Sequence, residues 1–125
     1  MRLVAVSQRC DFLPDRNEIR DGLDQRLISF LGIVGFLTVP VPNTLDRVSL
    51  DLFLTRLSPD SIILSGGNEI EEFPARDFTE GVLLDYAELH DLPVLGICRG
   101  MQMMACRAGV NKLLRHSRVP NSTCT

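Results

Sequence analysis

The stretch Leu92-Pro93-Val94-Leu95-Gly96-Ile97-Cys98-Arg99-Gly100-Met101-Gln102 decides how the rest of the chain is read. Val94 to Ile97 is a short apolar run introduced by a proline, consistent with a buried strand. Beyond it the spacing predicts a helix that begins at Cys98 or Arg99 and runs through Met101, Met103, Met104 and Ala105. The junction has the form G-x-C-x-G, the pattern of a nucleophile elbow. There a cysteine occupies a tight, strained turn, and the flanking glycines leave room where a larger side chain would clash. A helix N-terminus beneath it favours the thiolate and supplies backbone N–H groups. A small buried core cysteine fits the bare pattern too.

Working outward, Ser61-Ile62-Ile63-Leu64-Ser65 reads as a strand that stops at Gly66-Gly67. Leu3 to Val6 is an earlier apolar run, and Gly35 to Val39 another, which Pro40 and Pro42 are expected to stop. Between the strands lie three helical stripes. The first is Ile19, Leu23 and Leu27, completed by Phe30 and Leu31. The second is Leu45, Val48, Leu52 and Leu57, and the third is Phe78, Val82, Tyr86 and Leu89. The order is βαβαβαβα with nearly continuous apolar strands, which predicts an α/β fold: a parallel sheet with helices on both faces. Ligands of such sheets sit outside the carboxyl ends of the strands, so the loops after Val6, Leu64 and Ile97 are the ones to watch. Two glycines in Ser65-Gly66-Gly67-Asn68 let the backbone turn its N–H groups toward an anion beside Cys98.

Composition excludes several classes. The 125 residues carry 16 acidic and 13 basic side chains, a net charge of −3, with 45% hydrophobic residues. That is an ordinary folded domain with enough chain for one core. The 12 arginines and one lysine are spread along the sequence, which argues against a nucleic-acid partner. The longest uncharged run, Leu27 to Leu45, is broken by Pro40 and Pro42, so no membrane span is expected. Met1 to Arg9 is too short for a secretory signal. Cys10, Cys98, Cys106 and Cys124 form no C-x-x-C pair and no metal-like spacing, which makes a cytoplasmic protein with free thiols and no metal the expectation.

Ile62 to Asn68, then Arg76-Asp77, then Leu92 to Gln102 together resemble the class I glutamine amidotransferases, most closely the γ-glutamyl hydrolase-like branch, peptidase C26. The opening Val6-Ser7-Gln8-Arg9, Glu18-Ile19-Arg20-Asp21 and Pro40 to Thr44 are similar to a subgroup tied to bacterial surface-polysaccharide biosynthesis, which includes γ-glutamyl-CDP-amidate hydrolase. The resemblance covers residues 1–105 and implies a flavodoxin-like three-layer domain. By it, Cys98 is the nucleophile on a γ-carboxamide carbon and the N–H groups of Gly67 and Arg99 hold the oxyanion. Gly66 and Gln102 contribute to binding the glutamyl part. The implied chemistry is a γ-glutamyl thioester hydrolysed by water, with no cofactor. Its implied partners are a γ-glutamyl small molecule and either a synthase chain or a second copy. Arg76 and Asp77 match a family pair, to which a structural role is assigned.

The family completes its site with a histidine oriented by a glutamate in an H-x-E pattern. This sequence has none. His90 reads as a surface cap at a helix end, on the wrong edge of the sheet, and His116 needs a chain reversal near Gly109 to approach Cys98. Residues 92–125 hold five basic and no acidic side chains, whereas residues 1–91 carry a net −8. The lost similarity and the changed composition coincide. We therefore expect an incomplete amidotransferase-like domain over 1–105 and an atypical basic tail over 106–125, from a truncation or a shifted frame. Such a chain is expected to be marginally stable or self-associating, with uncovered apolar faces. Three functions remain open on the residues alone: an impaired hydrolase, a non-catalytic γ-glutamyl-binding remnant, and an unrelated anion-binding module.

Overall fold

A computed structural model describes residues 1–108. The elements are β1 (Arg2–Ser7), β2 (Arg9–Leu13), β3 (Glu18–Gly22), α1 (Gln25–Ile33), β4 (Phe36–Val41), α2 (Arg47–Leu57), β5 (Ser61–Leu64), α3 (Pro74–His90), β6 (Val94–Gly96) and α4 (Arg99–Arg107). Strands β4, β1, β5 and β6 form one sheet in that order, all parallel. The sheet reverses its winding between β1 and β5, and the crevice of such a sheet opens at that switch point.

Both sheet faces are covered, as expected for a three-layer α/β domain. In β1 the side chains alternate: Ala5 faces one cluster with Ile62 and Leu64, while Val4 and Val6 face the other with Ile63 and Leu31. Helices α2 and α3 cover the first face through Leu50, Leu54, Leu83 and Ala87, and α1 covers the second. Residues near the sheet margins are less protected: Leu37 on β4, on the first face, and Leu95 on β6, on the second, are exposed.

Several expectations are corrected. Ile19 does not begin a helix. It lies in an antiparallel β2–β3 hairpin opposite Phe12, and α1 starts only at Gln25. The carboxylate of Asp24 accepts the Arg26 N–H at 2.8 Å, so the cap fixes that start and the 3–4 spacing of Ile19 and Leu23 is incidental. Strand β4 runs through Pro40 to Val41, pairing Val6 with Pro40, because it is the outer strand of the sheet. In α2 the buried stripe is Leu50 and Leu54, while Val48 stays 78% exposed. Apolar residues alternate along this segment, and Leu50 and Leu54 are the pair one turn apart that meets the sheet. In α3 the expected Phe78 and Leu89 are exposed, and the buried face instead runs through Arg76, Thr79, Glu80, Leu83 and Ala87. Helix α4 continues through Arg107. The rest of the expected tail, with His116, lies outside the described residues.

No helix among the described residues is long and apolar enough to cross a membrane. Of the described cysteines, Cys10 and Cys98 are free thiols, Cys10 buried and Cys98 exposed.

Candidate active site

Strand β6 ends at Gly96, and two residues later Cys98 caps α4 with φ 52° and ψ −106°. That left-handed backbone is unfavourable for any residue with a Cβ. The surrounding packing enforces it. A Cβ on Gly100 would lie 2.7 Å from the Leu64 Cβ, and one on Gly96 would lie 2.7 Å from the Met101 nitrogen and the Met104 sulfur. Only glycine at both flanks lets α4 descend onto β5 this closely. The turn is closed by bonds from the Met101 and Gln102 N–H groups to the Cys98 carbonyl, at 3.0 and 3.2 Å. The Cys98 thiol is exposed and free.

Beside it, β5 runs into Ser65-Gly66-Gly67-Asn68. Gly67 adopts φ 86°, and a Cβ on Gly66 would stand 3.8 Å from the Cys98 Cβ. The turn and the elbow therefore face each other across one sheet edge. Cys98, Gly67, Arg99 and Gln102 line a single cavity of about 300 Å³, together with Asn68 and Met101. A second cavity of about 360 Å³ shares Gly67 and continues past Gly66 and Ile97 to Arg9, Leu23 and Leu27. All five residues singled out from the sequence are thus brought together. Among the described residues neither the Gly67 nor the Arg99 N–H donates a backbone hydrogen bond, and Arg99 is the first residue of its helix, where the N–H has no intrahelical acceptor.

Behind the cavity lies a charge cluster that periodicity does not disclose. Arg76 and Glu80 are both 0% exposed, and Arg99 is 4% exposed. The Glu80 carboxylate accepts the Ser7 hydroxyl at 2.6 Å and the Arg76 Nε at 3.3 Å on Oε2, and Arg99 Nη1 on Oε1. Arg99 Nη2 donates to Asp77. Arg76 also donates to the carbonyls of Ser65, at 2.6 Å, and of Gly67. Burial pulls both arginines down to about 10, still cationic at neutral pH. Two arginines and two carboxylates leave the cluster neutral, which a buried site requires. Arg76 and Asp77 have the structural role expected of them. Glu80 escapes the sequence reading, although its spacing four residues after Arg76 on one helix is a usable signal.

The hairpin closes the site from the other side. Asn68 accepts the Cys10 N–H and donates to the Cys10 carbonyl, at 2.8 and 2.9 Å. Burial first, and then the neighbouring Asp21 carboxylate, push the Cys10 thiol up, so it is the less reactive free cysteine. His90 caps the far end of α3, exposed and tilted against Tyr86 with ring centroids 4.2 Å apart. Because α3 ends where β6 begins, His90 sits at the edge of the sheet opposite Cys98. No group of three or more potential metal ligands occurs among the described residues.

An exposed thiol on a positive-φ turn between a parallel strand and a helix, with glycines walling it, defines the α/β proteins built around a nucleophile elbow. Within that class the chain belongs to the peptidase C26 family of class I glutamine amidotransferases, whose family model matches residues 15–121. It is 45% identical over 65 residues to a glutamine-hydrolyzing GMP synthase of Methylococcus capsulatus, an alignment covering 47% of this chain and 10% of that protein. It is 43% identical over 51 residues to glutamine-hydrolyzing GMP synthase subunits of Methanosarcina acetivorans and Methanosarcina barkeri, covering 41% of this chain and 23% of each relative. The chain thus spans less than a quarter of the length of these curated relatives.

Proposed function

We propose that the chain carries the nucleophile half of a γ-glutamyl amide hydrolase. The observation that carries the reading is Cys98, held at positive φ with a free thiol, facing the Gly66–Gly67 turn and lining one cavity with Gly67. The Cys98 sulfur attacks the γ-carboxamide carbon, and the carbonyl oxygen takes the negative charge against the N–H groups of Gly67 and Arg99. The C–N bond then breaks, the amine leaves with a proton, and a γ-glutamyl thioester remains. Water hydrolyses the thioester, returning the thiol and releasing glutamate. Gly66 and Gln102 border the glutamyl part, and the adjoining cavity beneath Arg9 leaves room for the amine.

The proton to the leaving amine and the activation of water need a base that no described residue supplies to Cys98. We assign it to a His–Glu pair carried outside this sequence. The chain alone is then impaired in turnover, and a synthase partner is part of the proposal, as the names of the GMP synthase relatives suggest. A cytoplasmic setting and a place in surface-polysaccharide biosynthesis belong to the same proposal, the latter resting on the opening residues alone. A second reading, binding of a γ-glutamyl ligand without turnover, is favoured by the position of His90 opposite Cys98.

Labelling with a glutamine-like chloroketone, followed by peptide mapping, tests the site. The expected result is saturable modification at Cys98, suppressed by a γ-glutamyl compound. Equal labelling of Cys98 and Cys10, or none at Cys98, overturns the proposal. Acid-trapped thioester formed from glutamine then separates catalysis from binding.

A further inference from the structure

The two proposed oxyanion donors belong to different strand ends; the Ile97 N–H donates to the Leu64 carbonyl at 2.9 Å and ties those ends together, but among the described residues no backbone hydrogen bond holds the Gly66–Gly67 turn beyond it. The Gly66–Gly67 pair is the weak point. Glycine on both sides of a peptide lets that peptide rotate at little cost, and a rotated peptide turns its N–H away from the cavity. Arg76 opposes this rotation. Its Nη2 holds the Ser65 carbonyl at 2.6 Å and the Ser65 hydroxyl at 3.2 Å, and its Nη1 holds the Gly67 carbonyl and the Asn68 side-chain oxygen, the latter at 3.1 Å. The carbonyls it grips lie one on each side of the Gly66–Gly67 peptide. With Nε on Glu80 at 3.3 Å, all five guanidinium N–H groups have acceptors.

Glu80 links this turn to the elbow. One carboxylate oxygen takes Arg76 Nε and the Ser7 hydroxyl, while the other takes Arg99 Nη1 at the first residue of α4. Ser7 in turn accepts the Ser65 N–H at 3.0 Å on its hydroxyl, and its carbonyl accepts the Ser65 hydroxyl at 2.5 Å. The carboxylate therefore sits at the crossing of the ends of β1, β5 and β6, behind the cavity, which it reaches through Arg99.

We infer that Arg76 and Glu80 are positioning residues of the proposed hydrolase site: together they hold the Gly67 peptide at a fixed orientation and distance from the Cys98 elbow. The inference rests on the γ-glutamyl reading above. Transition-state donors lose most of their value when displaced by about 1 Å, on the order of 100-fold in rate. Binding of the glutamyl part, made elsewhere in the cavity, is little affected by the same displacement.

The test uses the chain with the glutamine-like chloroketone, whose carbonyl must enter the oxyanion hole, and iodoacetamide, whose attack on a thiol needs none. The variants are Arg76→Lys, which keeps the charge and loses the planar fork, and Ser7→Ala, a milder change in case the first does not fold. The limiting rate of chloroketone labelling at Cys98 is expected to fall about 10- to 100-fold in Arg76→Lys and about 3- to 10-fold in Ser7→Ala. The half-saturating concentration and the iodoacetamide rate at Cys98 are expected to stay within about threefold. Unchanged limiting rates in a folded variant, or a loss confined to half-saturation, overturn the inference and leave the hydrolase reading standing. Absence of saturable labelling in the unsubstituted chain overturns that reading, and this inference with it.

Discussion

Replacing Gly100 by alanine tests the elbow at its tightest point. The added Cβ would lie 2.7 Å from the Leu64 Cβ and against the Leu64 carbonyl, which belongs to strand backbone and cannot swing aside. Ordinary carbon contacts need roughly 3.5–4.0 Å, so α4 must retreat from β5 by about 1 Å. Overpacking of this kind costs about 1–3 kcal/mol, and the backbone clash places Gly100→Ala at the upper end. In a domain of this size each kcal/mol lowers Tm by about 4–8 °C, giving an expected loss of more than about 10 °C in a circular-dichroism melt. The same retreat carries Cys98 away from Gly66 and slows chloroketone labelling by on the order of 100-fold. Gly81→Ala is the control. It lies inside α3 with nothing within 4 Å of the new Cβ, and is expected to raise stability by about 0.5–1 kcal/mol through helix propensity. A Gly100→Ala chain that melts and labels like the unsubstituted one would refute the claim that glycine is required here.

The two free thiols are expected to separate cleanly under iodoacetamide at neutral pH. Cys98 is alkylated first, and Cys10, buried with its thiol pushed up, reacts only after denaturation, as peptide mass spectrometry would show. Glu80→Gln leaves two buried arginines facing a neutral amide and is expected to cost about 3–5 kcal/mol in a urea titration; a loss below ~1 kcal/mol would mean that the cluster does not hold the layers together. Asp24 is pulled down to about 2 by the Arg26 side chain and then by the Arg26 N–H. Its folded value lies below the unfolded one, so its contribution is complete above about pH 4 and is lost as pH falls toward about 2. Asp24→Asn keeps the cap without the titration, and its melting temperature is expected to fall less over that interval than that of the unsubstituted chain.

The parallel sheet is legible because its strands are short apolar runs, and the neighbouring positions of Cys98 and the Gly66–Gly67 turn follow from their places after adjacent strands. What periodicity does not deliver has a common physical origin. In α3 the buried face contains Arg76 and Glu80, which a hydrophobic stripe counts as solvated, so the stripe falls on Phe78 and Leu89 instead. In α2 the segment is apolar at Val48, Leu50, Leu52 and Leu54, and only contact with the sheet decides that the second and fourth are inside. The hairpin is hidden because Ile19 and Leu23 keep helical spacing across a boundary set by one capping carboxylate at Asp24. Of the site itself, the residues around the cavity are readable, while the support behind it is not, because paired buried charges mimic a polar surface in one dimension.

The Glu80 cluster also bears on the order in which the chain assembles. Its hydrogen bonds join residues 73 positions apart, Ser7 to Glu80, and 19 apart, Arg99 to Glu80. Neither arginine can shed its water until both of its anchoring partners are in place, so no partial version of the cluster is stable in a dry environment. Collapse of the sheet on Leu50, Leu54 and Leu83 can proceed with the charges still hydrated at its margin. The cluster behind the Cys98 cavity is therefore complete only when β1, α3 and the elbow helix are all in their native places.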